Sequence, residues 1–306
     1  MNDLAAGAEG SACIFVALIG APNAGKSTLV NALVGTKVAI VTHKVQTTRA
    51  TLRGIAMRGA SQIVLIDTPG IFNPRRRLDR AMVDAAWGGA ADADITAVLV
   101  DSKKGLCDES RVILERLAAQ PRRAILVLTK IDLVKPEQLL PLAQAANDLA
   151  PFEETFMVSA ETGSGVEGLL DHLAKIAPAG PWHFPEDDVS DAPIRSLAAE
   201  ITREKLFLRV HDEIPYQSTV ETTSWKELGP KRVRVEQTIF VTRDSQKAIV
   251  LGRKGETIKQ ISMAAREELS KILDMRVDLF LFVKVRAGWS DDPERYREMG
   301  LEKPQD

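Results

Sequence analysis

The sequence predicts an α/β chain in which a mainly parallel sheet comes first and a smaller α+β module follows. Two observations predict it. Over residues 12–177 short apolar runs alternate with helical segments, and ligand-contacting motifs stand at the carboxyl ends of those runs. Between 178 and 193 four prolines of the chain cluster with acidic residues, among them Pro178, Pro181, Pro185 and Pro193, which marks a boundary. The expected division is 12–177, a linker over 178–193, a second domain over 194–290 and a tail over 291–306. A chain of 306 residues has room for two domains at roughly 100–200 residues each.

Composition excludes several classes. The net charge of −2 means that any nucleic-acid surface must be local. The two cysteines, Cys13 and Cys107, suit neither a zinc site nor a disulfide framework, which fits a reducing compartment. No apolar run approaches the roughly 18 residues of a membrane span. The first eleven residues lack the basic and apolar regions of a signal peptide, so a loose tail is expected there.

Residues 13–19 form an apolar run suited to a buried strand. Gly20, Ala21, Pro22, Asn23, Ala24, Gly25, Lys26 and Ser27 follow, and residues 28–34 have helical character up to Gly35. The spacing G-x-x-x-x-G-K-S is that of a loop whose backbone N–H groups surround nucleotide phosphates. Lys26 brings charge to the β- and γ-phosphates, and the Ser27 hydroxyl is a ligand for Mg²⁺. Residues 42–49 form a polar stretch before the next strand pair, and Thr48, ahead of Thr47, is the candidate switch hydroxyl for the Mg²⁺ shell.

Residues 62–66 predict a strand ending at Asp67, Thr68, Pro69 and Gly70, about 40 residues beyond the Lys. Asp67 can hold Mg²⁺ through a water, and the Gly70 N–H can reach a γ-phosphate. Ile71 stands where Ras-type enzymes carry a Gln, so another group must orient the attacking water. A three-arginine cluster, Arg75 to Arg77, opens an Ala- and Gly-rich helix; it reads as a solvated face or an RNA contact.

Residues 95–100 and 123–129 predict two more strands, with a turn at 101–105 and a helix over 109–119. The second ends at Thr129, Lys130, Ile131 and Asp132. The Asp132 carboxylate can accept hydrogen bonds from N1–H and the 2-amino group of guanine, and the Lys130 stem can lie over the base. Thr129 stands where the guanine motif N-K-x-D has Asn, which puts a supporting hydrogen bond in question. A fifth strand over 156–160 ends in Ser159 and Ala160, the pair that supplies a backbone N–H to guanine O6, and a helix over 166–176 closes the domain. The ordered set predicts a P-loop GTPase domain with a mainly parallel sheet.

The second half predicts an amphipathic helix over 194–211, strands over 218–225 and 231–241, and helices on either side of Gly252, Arg253, Lys254 and Gly255. A strand over 278–286 closes it. That order matches an α+β type II KH domain, whose GxxG loop clamps the backbone of about four unpaired nucleotides. Arg253, Lys254 and Lys259 supply charge. From 231 to 288 there are thirteen lysines and arginines against seven acids, against the trend of the whole chain, so single-stranded RNA is the expected ligand.

Taken together, Gly20 to Ser27, Gln46 to Arg49, Asp67 to Gly70, Thr129 to Asp132 and Ser159-Ala160 resemble the Era family of bacterial ribosome-assembly GTPases. So do Glu213 to Tyr216, Val250 to Ile258 and Val283 to Trp289, and the resemblance covers nearly the whole chain. It implies GTP hydrolysis with GTP/GDP and Mg²⁺, binding to the 3′ end of 16S rRNA, and maturation of the small ribosomal subunit. It also implies a monomeric cytoplasmic protein partly associated with the inner membrane face, a location that no feature of the composition carries. In relatives lacking the catalytic Gln, an Asn of the phosphate loop recruits K⁺, and Asn23 occupies that position. The catalytic set expected is thus Asn23, Lys26, Thr48, Asp67 and Gly70. The competing expectations are a GTP-sensing RNA-binding module without significant hydrolysis and an ATP-dependent kinase, the latter opposed by Asp132.

Overall fold

The computed structural model describes residues 10–44, 47–49, 51–72, 74, 77–120, 122–211 and 213–287. The expectations for Gln46, Arg75, Arg76, Gly288, Trp289 and the tail over 291–306 lie outside these residues. The described chain divides into two compact units, one with residues 10–39 and 48–191, the other with 40–44, 47 and 192–287.

In the first unit, strands β1 (Ala12–Gly20), β2 (Leu52–Arg58), β3 (Ser61–Asp67), β4 (Ile95–Asp101), β5 (Ala124–Thr129) and β6 (Thr155–Met157) form one sheet in the order β2-β3-β1-β4-β5-β6. Every pairing is parallel except β2 with β3. Helices α1 (Lys26–Val34), α2 (Arg77–Asp92), α3 (Asp108–Ala119), α4 (Leu139–Asn147) and α5 (Val166–Ile176) cover it. The strands read as unbroken apolar runs because both faces are buried. Along β1, Ile14, Val16 and Leu18 pack with Leu29 of α1 and Leu169 of α5. Ala17 and Ile19 pack with Ala86 of α2, Ile113 of α3 and Ala143 of α4.

Two elements differ from the sequence expectation. The fifth predicted strand covers only Thr155–Met157, which leaves Ser159 and Ala160 in the loop beyond it. Residues 178–191 are strapped to the first unit. Ile55 donates to the Val189 carbonyl at 3.0 Å, Asp191 donates to that of Arg53 at 3.1 Å, and the Gln62 side chain accepts from the His183 and Phe184 amides.

In the second unit, α6 (Ile194–Arg209) precedes strands β7 (Ser218–Gly229) and β8 (Arg232–Val241). Helices α7 (Asp244–Leu251) and α8 (Glu256–Leu273) then lead to β9 (Arg276–Val285). The sheet order is β7-β8-β9, with β8 parallel to β9 and antiparallel to β7. The period of two along β8 is realised, since Val233, Val235, Gln237, Ile239 and Val241 are all fully buried beneath the helices. Residues 40–44 and 47 belong to this unit. The Val41 amide donates to Glu204 Oε1 at 2.9 Å, Arg203 donates to the Thr47 carbonyl, and Lys44 Nζ donates to the carbonyls of Phe207 and Val210 at the C-terminal end of α6. Among the described residues no helix is long and apolar enough to cross a membrane.

Candidate functional site: a nucleotide site and a GxxG loop

The phosphate loop fills the turn between β1 and α1, at the carboxyl edge of the sheet. Gly25 starts α1 with φ +92°, a left-handed conformation that a side chain disfavours. Gly20 ends β1 so close to β4 that a Cβ would lie 2.7 Å from the Leu99 carbonyl oxygen. Lys26 is buried, its Nζ donating to the Gly20 and Ala21 carbonyls at 3.0 and 3.1 Å. Burial lowers its pKa to about 8, and nearby Asp67 partly offsets this.

Thr48, rather than Thr47, reaches this cluster. Ser27 Oγ lies 2.9 Å from Thr48 Oγ1 and donates to Asp67 Oδ2 at 2.6 Å, while Thr48 Oγ1 reaches the same carboxylate oxygen at 3.5 Å. The Thr47 hydroxyl is engaged with Thr42 and the Lys44 carbonyl. The other Asp67 oxygen, Oδ1, is buried with no hydrogen-bond partner among the described residues. Desolvation pushes the Asp67 pKa up to about 6, against the opposing pull of Ser27, Lys26 and Thr48. Two hydroxyls and a buried carboxylate with an orphaned oxygen are the donor set of a hard divalent cation, so Mg²⁺ fits these residues.

Beyond Asp67, the Thr68 hydroxyl donates to the Leu18 carbonyl at 2.6 Å, anchoring the segment to β1. Gly70 packs against Pro22, and a Cβ there would lie 2.9 Å from Pro22 Cα. The Ile71 amide donates to the Gly20 carbonyl at 3.1 Å, and its side chain is buried in the core with Ile19 and Ile66. Ile71 is therefore a structural clamp between two phosphate-site segments.

At the neighbouring strand end, Thr129 Oγ1 donates to the Ala24 carbonyl at 2.7 Å and lies 3.2 Å from that of Val100. The hydroxyl thus ties the guanine-side motif to the phosphate loop. Lys130 has φ +56° and opens the short turn Ile131–Leu133, which leaves the Asp132 side chain exposed. Lys130 Nζ donates to the Asn23 carbonyl and to Asp101 Oδ2, both at 2.7 Å. In sequence Asp101 is only the start of a turn; its pairing in register with Thr129 across β4 and β5 is a signal that the sheet alone supplies. Ser159 is buried and its amide is committed to the Ser164 carbonyl at 2.9 Å, so among the described residues Ala160 carries the uncommitted N–H of that pair.

In the second unit, Gly252 caps α7 with φ +72°, Lys254 has φ +53°, and Gly255 starts α8 with φ +78°. A Cβ at Gly252 would lie 2.2 Å from Thr257 Oγ1, whereas Gly255 faces open space. Arg253, Lys254 and Lys259 are exposed, and among the described residues none of them has an acidic partner. The loop therefore offers cations and close backbone approach without rearranging ion pairs.

Comparison with known proteins agrees with both halves. A family model described as 50S ribosome-binding GTPase matches residues 15–130, and a KH domain model matches residues 213–290. GTPase Era of Rhizobium meliloti is 62% identical over 303 residues, covering 99% of this chain and 97% of its own. GTPase Era of Brucella suis is 62% identical over 290 residues, covering 95% and 93%. A crystal structure of Era in complex with MgGDPNP and nucleotides 1506–1542 of 16S ribosomal RNA is similar at a TM-score of 0.89 and 35% identity, covering 95% of this chain and 99% of that one. An Era variant from Aquifex aeolicus bound to GDP and AlF4⁻ gives 0.88 and 34%, covering 94% and 99%. With that identity sustained from one end of the chain to the other, the protein belongs to the GTPase Era family.

Proposed function

We propose that this GTPase uses its KH unit to bind the 3′-terminal segment of 16S ribosomal RNA, and that its nucleotide cycle times that binding during maturation of the small ribosomal subunit. The observation that carries the reading is one chain holding both the Ser27–Thr48–Asp67 cluster and the exposed cationic loop at Gly252 to Gly255. Its relative of known structure holds a Mg²⁺–GTP analogue and 16S nucleotides together.

The geometry supports the following roles. Ser27 and Thr48 hold Mg²⁺, with Asp67 acting through a water. The bound ion supplies charge to the β- and γ-phosphate oxygens. Lys26 exchanges the Gly20 and Ala21 carbonyls for phosphate oxygens. The backbone of Ala21, Pro22, Asn23, Ala24 and Gly25 shapes the cradle, and Gly70, backed by Pro22, presents its N–H to the γ-phosphate. Thr68 and Pro69 hold that segment in place. Asp132 reads N1–H and the 2-amino group of guanine, the Ala160 N–H meets O6, and Lys130 covers the base.

Ile71 is buried and cannot orient the attacking water. Hydrolysis is accordingly slow, and Asn23, at φ +62° in the loop, recruits K⁺ to assist it. Turnover in KCl should exceed that in NaCl several-fold, and equal rates would remove the K⁺ role. The reading as a whole is tested by crosslinking the 3′ segment of 16S RNA to the full chain with GTP and with GDP. It requires crosslinks within 252–259 and a yield that changes with the nucleotide.

A further inference from the structure

Asp101 ends β4 beside the first residue of the guanine motif, being in register with Thr129 of β5. Its side chain is 7% exposed and its two oxygens have separate tasks. Oδ1 accepts the amides of Lys103 and Lys104 at 3.0 and 3.3 Å, closing the turn after the strand. Oδ2 accepts Lys130 Nζ at 2.7 Å. The same ammonium donates to the Asn23 carbonyl at 2.7 Å, so it is anchored between a carboxylate on β4 and the phosphate loop.

A lysine free at its tip samples many rotamers, and ordering it when a base arrives costs entropy. Here the tip is fixed in advance, and Lys130 itself sits at φ +56°, immediately before the turn that carries Asp132. The stem is thereby laid out as a fixed edge beside the guanine-reading carboxylate.

We propose that Asp101 is a positioning residue for guanine nucleotide binding, acting through Lys130 by holding its stem in place before the base arrives. The inference rests on the assignment of Asp132 as the guanine-reading group. It predicts a residence-time effect: Asp101 is committed to the Lys103 and Lys104 amides and the Lys130 ammonium, yet its loss shortens the life of the nucleotide complex.

The test separates the two oxygens. Asp101→Asn keeps an oxygen for the Lys103 and Lys104 amides but replaces the Lys130 acceptor with a donor. In the full chain, dissociation of a fluorescent GDP analogue should quicken about tenfold or more, the worth of a charge-assisted hydrogen bond. Asp101→Glu should recover part of that loss. In a Lys130→Met background, Asp101→Asn should change dissociation less than about twofold, because the group it acts through is gone. An unchanged dissociation rate in Asp101→Asn, or an equal acceleration with and without Lys130, would overturn the proposal. Asp132→Asn, measured alongside with GDP and xanthosine diphosphate, separates failure of the base assignment from failure of the Asp101 role.

Discussion

Thr129 Oγ1 and the Ala24 carbonyl, 105 residues apart in sequence, meet at 2.7 Å inside the protein. This one contact joins the end of β5 to the phosphate loop. An Asn at 129 could make the same tie with its amide and keep further hydrogen-bonding capacity; a Thr spends its single hydroxyl proton on it. The departure from N-K-x-D therefore preserves the tether.

Thr129→Val should leave the buried Ala24 carbonyl without its donor and destabilise the protein by about 1–3 kcal/mol. Urea unfolding of the nucleotide-free chain measures this, and GDP affinity should fall with it. Thr129→Asn should retain GDP binding. An unaltered unfolding midpoint in Thr129→Val would mean that the contact contributes nothing.

Asp67 predicts a pH dependence in the absence of nucleotide and metal. Burial raises its carboxyl from 3.8 to about 6, so the folded chain holds this proton more tightly than the unfolded chain does. Its contribution is complete below about pH 3.8 and is lost as pH rises through about 6, a total of about 3 kcal/mol. Lys26, held down to about 8, titrates above that window. With a chelator present, Asp67→Asn should flatten the stability profile between about pH 3.8 and 6; assayed separately with Mg²⁺, the variant should lose Mg²⁺-dependent hydrolysis. A variant profile parallel to that of the original protein counts against this account.

Asp132→Asn exchanges an acceptor for a donor at an exposed position, so folding should be unaffected. Nucleotide preference should move from guanine to xanthine, whose 2-oxo group matches the new amide. Competition between GDP and xanthosine diphosphate reads this directly, and a retained guanine preference would mean that another group reads the base.

The two loop glycines should respond differently. At Gly252 any side chain meets Thr257 at 2.2 Å and also needs φ +72°, so Gly252→Asp should damage the local fold and RNA binding together. Gly255→Asp shares the left-handed strain at φ +78° but meets no neighbouring atom, and it places a carboxylate where a phosphate would approach, so RNA affinity should drop with a smaller change in melting temperature. GTP affinity should survive both. RNA affinity preserved in both variants would move the RNA site elsewhere.

Much of this molecule was legible because its chemistry sits at fixed spacing on buried strands. The spacing places Asp67 and Thr129 at strand ends and Asp132 in the turn just beyond, and the alternation along β8 gives its buried face residue by residue. Asp101 was opaque for the opposite reason. Its acidic side chain follows an apolar run as any turn residue would, and its partner Lys130 is brought near only by the pairing of β4 with β5. The segment 178–191 is a third case. Its prolines and acids reveal a lack of helix and strand propensity, but composition cannot report that its backbone bonds to Arg53 and Ile55 on the outer strand β2.

The assignment of residues 40–44 and 47 to the second unit bears on how the enzyme can be dissected. The polypeptide departs from the nucleotide-binding unit at 39, re-enters it at 48 and departs again at 191. A truncated chain stopping at 191 would still contain the detour, but without Glu204, Arg203 and the carbonyls of Phe207 and Val210 that engage it. An amide, a carbonyl and an ammonium would be released to water within seven residues of the Thr48 hydroxyl. Turnover measured on such a fragment would belong to a differently tethered threonine, so the shorter protein is a different catalyst from the whole chain.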